Sequence, residues 1–152
     1  MKAISLWQPW ATLIAIGAKR FETRSWAPPT NVIGTRIAIC AAQKAVGPIW
    51  RTLDLATRRS IAQALQRADL DAPNPPYQWH PVNMPLGSVV CTALLWSAIK
   101  VQNDSYPAPD LFGDYSRGRW VWELREVEAY PYLHLVTGRQ KFFNVDLRGE
   151  RA

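Results

Sequence analysis

The stretch ISLWQPWATLIAIGAKRFETRSW, residues 4–26, predicts a strand, a short helix and a second strand in immediate succession. Residues 2–6 form the first predicted strand, and Gln8-Pro9 begins the helix. Proline suits this place because it lacks the N–H group that has no partner in a first helical turn. Gly17 ends the helix, since glycine readily adopts the left-handed conformation found after many helix C-termini. Residues 21–26 form the second predicted strand.

The rest of the chain predicts a mixture of strands, one long helix and two loops. The strands are expected at residues 34–42, 87–101, 119–130 and 142–147, the helix at 46–68, and the loops at 72–85 and 102–116. Alternation along the third of these strands places Trp120, Trp122 and Leu124 on one face, which we expect to be buried. These elements predict an α+β fold, a mixed β-barrel of five to six strands with two to three helices packed around it.

Length and composition place the chain among ordinary globular proteins. A chain of 152 residues favours one domain with a substantial core. Its hydrophobic content of 48% and charged content of 20% argue against an intrinsically disordered chain. The net charge of +6 favours a polyanionic partner, although a merely soluble basic protein has the same balance.

The cysteines, histidines and apolar runs indicate neither a metal site nor a membrane segment. Cys40 and Cys91 lie in apolar, strand-like runs, which predicts two reduced core thiols rather than a disulfide framework or a zinc site. His80 and His134 are isolated in the sequence, so we expect no metal and no cofactor. No apolar run approaches the ~20 residues that span a bilayer, and no signal peptide is visible. We therefore expect a soluble, cytoplasmic protein without a membrane partner.

Three charged residues follow the first helix at spacings that bring them together. Glu22 and Arg24 are two residues apart and share one face of a strand, Lys19 lies just past the helix end, and Thr23 points the opposite way. Such a cluster is often a solvated set of surface ion pairs. Here tryptophans bracket the charges, and aromatic rings beside cations commonly hold single-stranded bases and phosphates. The cluster therefore indicates a basic, Trp-lined ligand-binding cleft.

The residue types at fixed offsets in this stretch resemble the ASCH domain. They are Ile4-Ser-Leu-Trp-Gln-Pro-Trp-Ala, Leu13-Ile14, Gly17, Lys19, Glu22, Arg24 and Trp26. The similarity continues in RIAICAAQK (36–44), LGS (86–88), FGDYSRGRWVW (112–122) and GRQ (138–140). It covers nearly the whole chain, so residues 1–152 are expected to form a single ASCH domain. The resemblance implies a PUA-like β-barrel with a cleft beside the first helix.

The resemblance also implies a function in RNA metabolism. The family is linked to RNA binding, so single-stranded RNA or a nucleotide-derived ligand is the expected partner. Some members are similar to amidohydrolases of N4-acylated cytidine, and ribonuclease activity has been attributed to others. A small hydrolase is therefore the alternative, with Lys19 and Glu22 as the catalytic candidates. The amidohydrolase relatives place a threonine three residues after the lysine, where this chain has Glu22, and Thr23 is one residue off. A protein-binding adaptor is a second alternative.

Each remaining candidate has an expected role around this cleft. Trp7, Gln8 and Trp10 are expected to form its wall and floor, while Lys19, Arg24 and Arg119 meet phosphate or a base edge. Glu22 accepts from an exocyclic amine or orients Arg24. The candidate acids and bases of a metal-free ribonuclease are Lys19, Lys44, Tyr115 and Ser116. Arg139 and Gln140 follow a glycine turn at the expected barrel rim. The remote glutamate of an amidohydrolase stays open among Glu123, Glu126 and Glu128.

Overall fold

Six strands form one mixed sheet in the computed structural model, which describes residues 1–71 and 84–148, the side chains of residues 70 and 71 excepted. The strands are β1 (Lys2–Leu6), β2 (Phe21–Arg24), β3 (Arg36–Ala41), β4 (Ser88–Lys100), β5 (Trp120–Ala129) and β6 (Phe143–Asn144). The helices are α1 (Trp10–Ala15), α2 (Val46–Thr52) and α3 (Leu55–Asp71). The order across the sheet is β2-β5-β4-β3-β1-β6, and only the pairing of β1 with β3 is parallel.

The sheet curls into a half-barrel, and the predicted α+β fold is confirmed. α1 lies against one face of the sheet, where Ile14 packs with Ile39 and Trp122 in the largest apolar cluster. The opposite face is covered by the C-terminal segment, in which Val145 packs with Cys40. Both faces of the central strands are therefore buried, and α1 is fixed against the sheet between β1 and β2 in the chain.

The predicted single helix at residues 46–68 is wrong, because the chain forms two helices with a break between them. Leu53 has an extended backbone with ψ of 144°. The Asp54 carboxylate then accepts a hydrogen bond of 2.7 Å from the Thr57 amide. Aspartate is among the best residues for capping a helix N-terminus in this way, so Asp54 begins a new helix.

Two predicted strands are shorter than expected because their partner strands end. β2 stops at Arg24, which lies opposite Trp120, the first residue of β5. β6 spans only Phe143–Asn144, since Asn144 lies opposite Lys2, where β1 begins. Most of the predicted loop at residues 72–85 lies outside the described residues.

β5 is buried more evenly than its alternating pattern predicts. Trp122 and Leu124 are buried on the α1 side as expected, and Trp120 is partly buried there. Val121 is also buried on the opposite face, where it packs with Val101 and Tyr115. The cause is the loop after β4, which folds back over that face of β2 and β5.

The two thiols lie in the core, as the sequence predicts. Cys40 and Cys91 are free and buried, and burial raises the pKa of each to about 12. Among the residues that the structure describes, no helix is long and apolar enough to cross a membrane.

Gly17 determines how the chain leaves α1. Its φ of +80° lies in the left-handed region that favours glycine. This turn lets the amides of Ala18 and Lys19 both donate to the Leu13 carbonyl at 2.9 Å. The turn therefore ends α1 and brings Lys19 beneath the helix, next to the start of β2.

We expect Gly17→Ala to destabilise the protein by about 1–2 kcal/mol, because a Cβ is unfavourable in the left-handed region. Gly17→Asn is the matched control and should cost less, since asparagine tolerates this conformation. No atom lies within 4 Å of the added Cβ, so a steric clash does not contribute. The midpoints of urea unfolding measure both effects. Equal stability of the alanine variant and the wild type would contradict this role of the turn.

Candidate ligand-binding pocket

A cavity of about 680 Å³ opens beside the start of α1. Its sides are the ends of β1 and β2, the junction between α2 and α3, and the loop at residues 111–114. We call this cavity the α1 pocket. Six predicted site residues line it: Trp7, Trp10, Lys19, Glu22, Arg24 and Arg119. The structure thus brings the charged cluster and two of the tryptophans into one solvent-reachable cavity.

Glu22 lies in the α1 pocket between two cations. Its Oε1 accepts a hydrogen bond of 3.1 Å from Arg24 Nε, and its Oε2 is 3.6 Å from Lys19 Nζ. The pairing of β2 with β5 sets this arrangement, because Glu22 lies opposite Trp122 and directly opposed residues of antiparallel strands point to the same face. The Glu22 side chain retains 10% of its exposure, so the carboxylate is held firmly but still meets the cavity.

Lys19 is bound more completely than a surface lysine. Its Nζ donates to the Phe21 carbonyl at 2.5 Å and to the Phe112 carbonyl at 2.8 Å, in addition to the ion pair with Glu22. Only 2% of the residue is exposed. An ammonium group has three N–H donors and no acceptor, so the two carbonyls take two of its donors and Glu22 balances its charge. Lys19 therefore joins β2 to the loop at residues 111–114.

Two arginines and a loop aspartate complete the polar lining. Arg24 Nη2 donates to the Ser5 carbonyl at 3.0 Å, and Arg119 Nη2 donates to the Thr23 carbonyl at 3.2 Å. Arg119 Nε lies 3.6 Å from Asp114 Oδ2. The Arg24 and Arg119 side chains are 22% and 29% exposed, so each reaches solvent from a fixed position.

The loop around Asp114 stabilises the charged form of its carboxylate. Hydrogen bonds from the side chain and amide of Ser116 lower the pKa of Asp114, and Arg119 adds a smaller effect. The Asp114 amide donates to Thr23 Oγ1 at 3.0 Å. The Thr23 hydroxyl therefore accepts from the loop, which explains how this side chain lies against residues 113–114.

Aromatic rings form one wall of the α1 pocket. The rings of Trp10 and Phe112 lie 6.3 Å apart between centroids, tilted by 48°. Trp7 is 51% exposed at the rim, and Lys44 Nζ lies 3.7 Å from its ring centroid. Lys44 thus lies at the rim beside Trp7 rather than among the lining residues.

The junction between α2 and α3 supplies a wall that the sequence analysis missed. Thr52, Leu53, Asp54 and Thr57 all line the α1 pocket. Hydrogen bonds from the amide and side chain of Thr57 lower the pKa of Asp54. An aspartate three residues before a threonine, within a helical pattern, was the available signal for a cap.

The charges of the α1 pocket balance, which differs from the basic cleft predicted from the sequence. The lining includes the cations Lys19, Arg24 and Arg119, and the carboxylates Glu22, Asp54 and Asp114. Two of the three carboxylates come from segments distant from residues 7–24 in sequence. The sequence pattern near the N-terminus therefore overestimates the positive charge of the cavity.

Four other predicted site residues, Gln8, Ser116, Arg139 and Gln140, lie outside the cavity lining. Gln8 is fully buried, and it donates from Nε2 to the Pro85 carbonyl at 2.9 Å while its Oε1 accepts from the Thr12 amide at 3.0 Å. It therefore supports the start of α1. Arg139 and Gln140 are exposed on the turn after Gly138, outside the lining. Ser116 donates from Oγ to Asp114 Oδ1 at 2.6 Å.

Tyr115 also serves the loop rather than the cavity. Its hydroxyl donates to Asp110 Oδ1 at 2.8 Å. Burial raises the pKa of Tyr115 well above its ordinary value, and the Asp110 carboxylate adds to this effect. Tyr115 is therefore a poor proton donor or acceptor for a ligand in the α1 pocket.

The three glutamates considered for a remote catalytic role lie elsewhere. Glu123 accepts a hydrogen bond of 2.9 Å from Arg125 Nε. Glu126 and Glu128 each lie 3.5 Å from Arg36 Nη2. None of the three lines the α1 pocket.

We expect Lys19→Met to lower the free energy of unfolding by about 3 kcal/mol or more. The change keeps the side-chain length but leaves two carbonyl groups without their donor and removes one of the two cations beside the Glu22 carboxylate. Lys44→Met is the matched control, and its exposed contact with Trp7 should contribute less than about 1 kcal/mol. Chemical denaturation measures both variants. Similar losses for the two lysines would contradict a structural role for Lys19.

Comparison with known proteins identifies the fold. The ASCH domain matches residues 4–102 of the chain. The crystal structure of ASCH from Zymomonas mobilis is similar with a TM-score of 0.54 and 16% identity, covering 96% of this chain and 87% of that one. Two variants of the same bacterial protein are similarly related. A Tyr-to-Phe variant has a TM-score of 0.54 and 16% identity, covering 96% of this chain and 90% of that one.

A Ser-to-Ala variant of the Zymomonas mobilis protein has a TM-score of 0.53 and 16% identity, covering 96% of this chain and 88% of that one. At 16% identity, the likeness to these structures shows a shared fold and does not extend to function. No match was found among curated proteins. The match to the domain nevertheless covers most of the chain and includes β1 to β4. The chain belongs to the ASCH domain family, a PUA-like fold associated with RNA binding.

Proposed function

We propose that this protein binds single-stranded RNA or a nucleotide-derived ligand, with one nucleotide in the α1 pocket, and acts in RNA metabolism. The observation that carries the proposal is the pocket itself, where Glu22, Arg24 and Arg119 meet the aromatic rings of Trp7 and Trp10. Unstacked bases are commonly held by aromatic rings while polar groups contact their edges. A cavity of about 680 Å³ lies within the range of ordinary small-ligand pockets.

The distribution of charge supports placing a base in the α1 pocket and the phosphates on the surface around it. Three cations and three carboxylates line the cavity and cancel, so the net charge of +6 resides in residues outside the lining. Lys44 lies over Trp7 at the rim, and Arg58 lies in α3 next to the lining residue Thr57. Such cations attract the phosphates of a nucleic acid. The nucleobase and the backbone therefore meet different parts of the protein.

The same geometry favours binding over hydrolysis. A metal-free ribonuclease requires groups that accept and donate protons next to the reacting oxygens. Lys19 is engaged with two backbone carbonyls and Glu22, whereas Lys44, Tyr115 and Ser116 do not line the pocket. The Thr23 hydroxyl also lines the pocket, where its Oγ1 accepts from the Asp114 amide. The candidate acids and bases are thus occupied or outside the cavity.

We expect Arg24→Ala and Arg119→Ala to weaken binding of a labelled single-stranded RNA about tenfold or more, because each removes a charged hydrogen-bond donor. Lys44→Ala should make the negative slope of log K against log salt shallower by about 0.7, the value for one phosphate on a single strand. Arg125→Ala is the control, since Arg125 stacks on Trp96 outside the pocket. Fluorescence anisotropy over a range of salt concentrations measures these effects.

Three results would contradict the proposal: no RNA binding at low salt, binding that is independent of salt, or equal weakening by Arg125→Ala. If Trp7→Ala weakens capture of a protein and the arginine variants do not, the adaptor alternative is favoured instead. The same RNA, analysed on a gel after incubation alongside N4-acetylcytidine, tests the hydrolase alternative. Turnover that is lost in Glu22→Gln would favour it.

A further inference from the structure

The Glu22 carboxylate offers hydrogen-bond acceptors and no donor to a ligand in the α1 pocket. Arg24 Nε occupies one position on Oε1, and Lys19 lies 3.6 Å from Oε2, beyond hydrogen-bond distance. A carboxylate has about four lone-pair positions and no donor, so acceptor capacity remains on both oxygens. The exposed tenth of the side chain faces the α1 pocket. The pocket therefore offers a fixed pair of acceptors beside an aromatic wall.

We propose that the α1 pocket selects guanine, whose Watson–Crick edge donates to the two oxygens of Glu22. This inference rests on the proposed function and names the base that the pocket takes. Guanine has an N1–H and an adjacent 2-amino group, which is a pair of neighbouring donors. A carboxylate can accept both in a bidentate arrangement, as it does from arginine.

The other common bases match this carboxylate poorly. Adenine and cytosine each place a ring-nitrogen acceptor beside the amino group, and uracil has one N–H between two carbonyl acceptors. When an acceptor of the base faces the carboxylate, neither group receives a hydrogen bond. Leaving such polar groups unsatisfied in a desolvated site is unfavourable. The selection therefore depends on the absence of a donor in the Glu22 side chain.

The surroundings of Glu22 keep the acceptor pair in place. Lys19 Nζ forms an ion pair with Oε2 at 3.6 Å and donates to the backbone carbonyl of Phe112, whose ring lies beside Trp10. The carboxylate and the aromatic wall are therefore connected through one buried side chain. Lys19 is a positioning residue in this arrangement, because its contacts leave the ligand to Glu22 and the rings.

The first test uses the unmodified protein and a series of nucleoside monophosphates. Titration calorimetry should show GMP binding about tenfold or more tightly than AMP, CMP and UMP, the discrimination expected of a bidentate contact. IMP lacks the 2-amino group but keeps N1–H, so its affinity should be intermediate. Oligouridine with and without a single guanosine distinguishes guanine within RNA from the free nucleotide.

The second test changes the carboxylate. Glu22→Gln replaces one acceptor by a donor, so the preference for GMP should fall and the affinity for AMP should rise, since glutamine suits the adjacent donor and acceptor of adenine. Glu128→Gln is the matched control, because Glu128 also lies near an arginine but outside the pocket. Its preference for GMP should equal that of the wild type.

The outcomes separate this inference from the proposed function. Equal binding of all four nucleotides and of RNA with or without guanosine overturns the selection of guanine and leaves RNA binding intact. Failure to bind any RNA or nucleotide overturns both. Tighter binding of IMP than GMP also overturns the selection, since the 2-amino group would then oppose binding. If Glu22→Gln does not fold, the ligand series on the unmodified protein still decides.

Discussion

The buried ammonium group of Lys19 is the interaction on which the rest of the site depends. It follows the left-handed turn at Gly17, donates to the carbonyls of Phe21 and Phe112, and lies beside the Glu22 carboxylate. Those partners belong to β2 and to a loop more than 90 positions away along the chain. A cation so enclosed is favourable only when its donors meet acceptors, so helix end, strand and loop must be in place together. The shape of the α1 pocket is therefore coupled to the folding of the whole domain.

Charge balance in the α1 pocket determines which part of a nucleic acid would suit its interior. A cavity lined with cations alone would attract phosphate groups wherever they approach. The carboxylates of Glu22, Asp54 and Asp114 offset that attraction inside the cavity. Positive charge is left to residues outside the lining, such as Lys44. A nucleobase, which is neutral and has donors and acceptors on its edges, suits the interior better than a phosphate does.

Local spacing was sufficient to predict the part of the site that lies within one segment. Alternation along β2 places Glu22 and Arg24 on one face, and Gly17 marks the end of α1, so the central cluster could be foreseen. The partners of Gln8 and Lys19 could not be predicted from the sequence, because Pro85 and Phe112 are brought near only by the tertiary fold. The break between α2 and α3 depends on a cap at Asp54, a signal that the helical periodicity around it concealed.

Thr23 and Glu22 together show why this chain departs from the amidohydrolase pattern that its resemblance suggests. That pattern requires a hydroxyl three residues after the lysine, and this chain has the Glu22 carboxylate there. The neighbouring Thr23 also lines the α1 pocket, but it comes one residue later in β2 and its Oγ1 accepts from the Asp114 amide. This chain therefore presents a carboxylate acceptor at the position where that pattern has a hydroxyl, which supports recognition rather than cleavage.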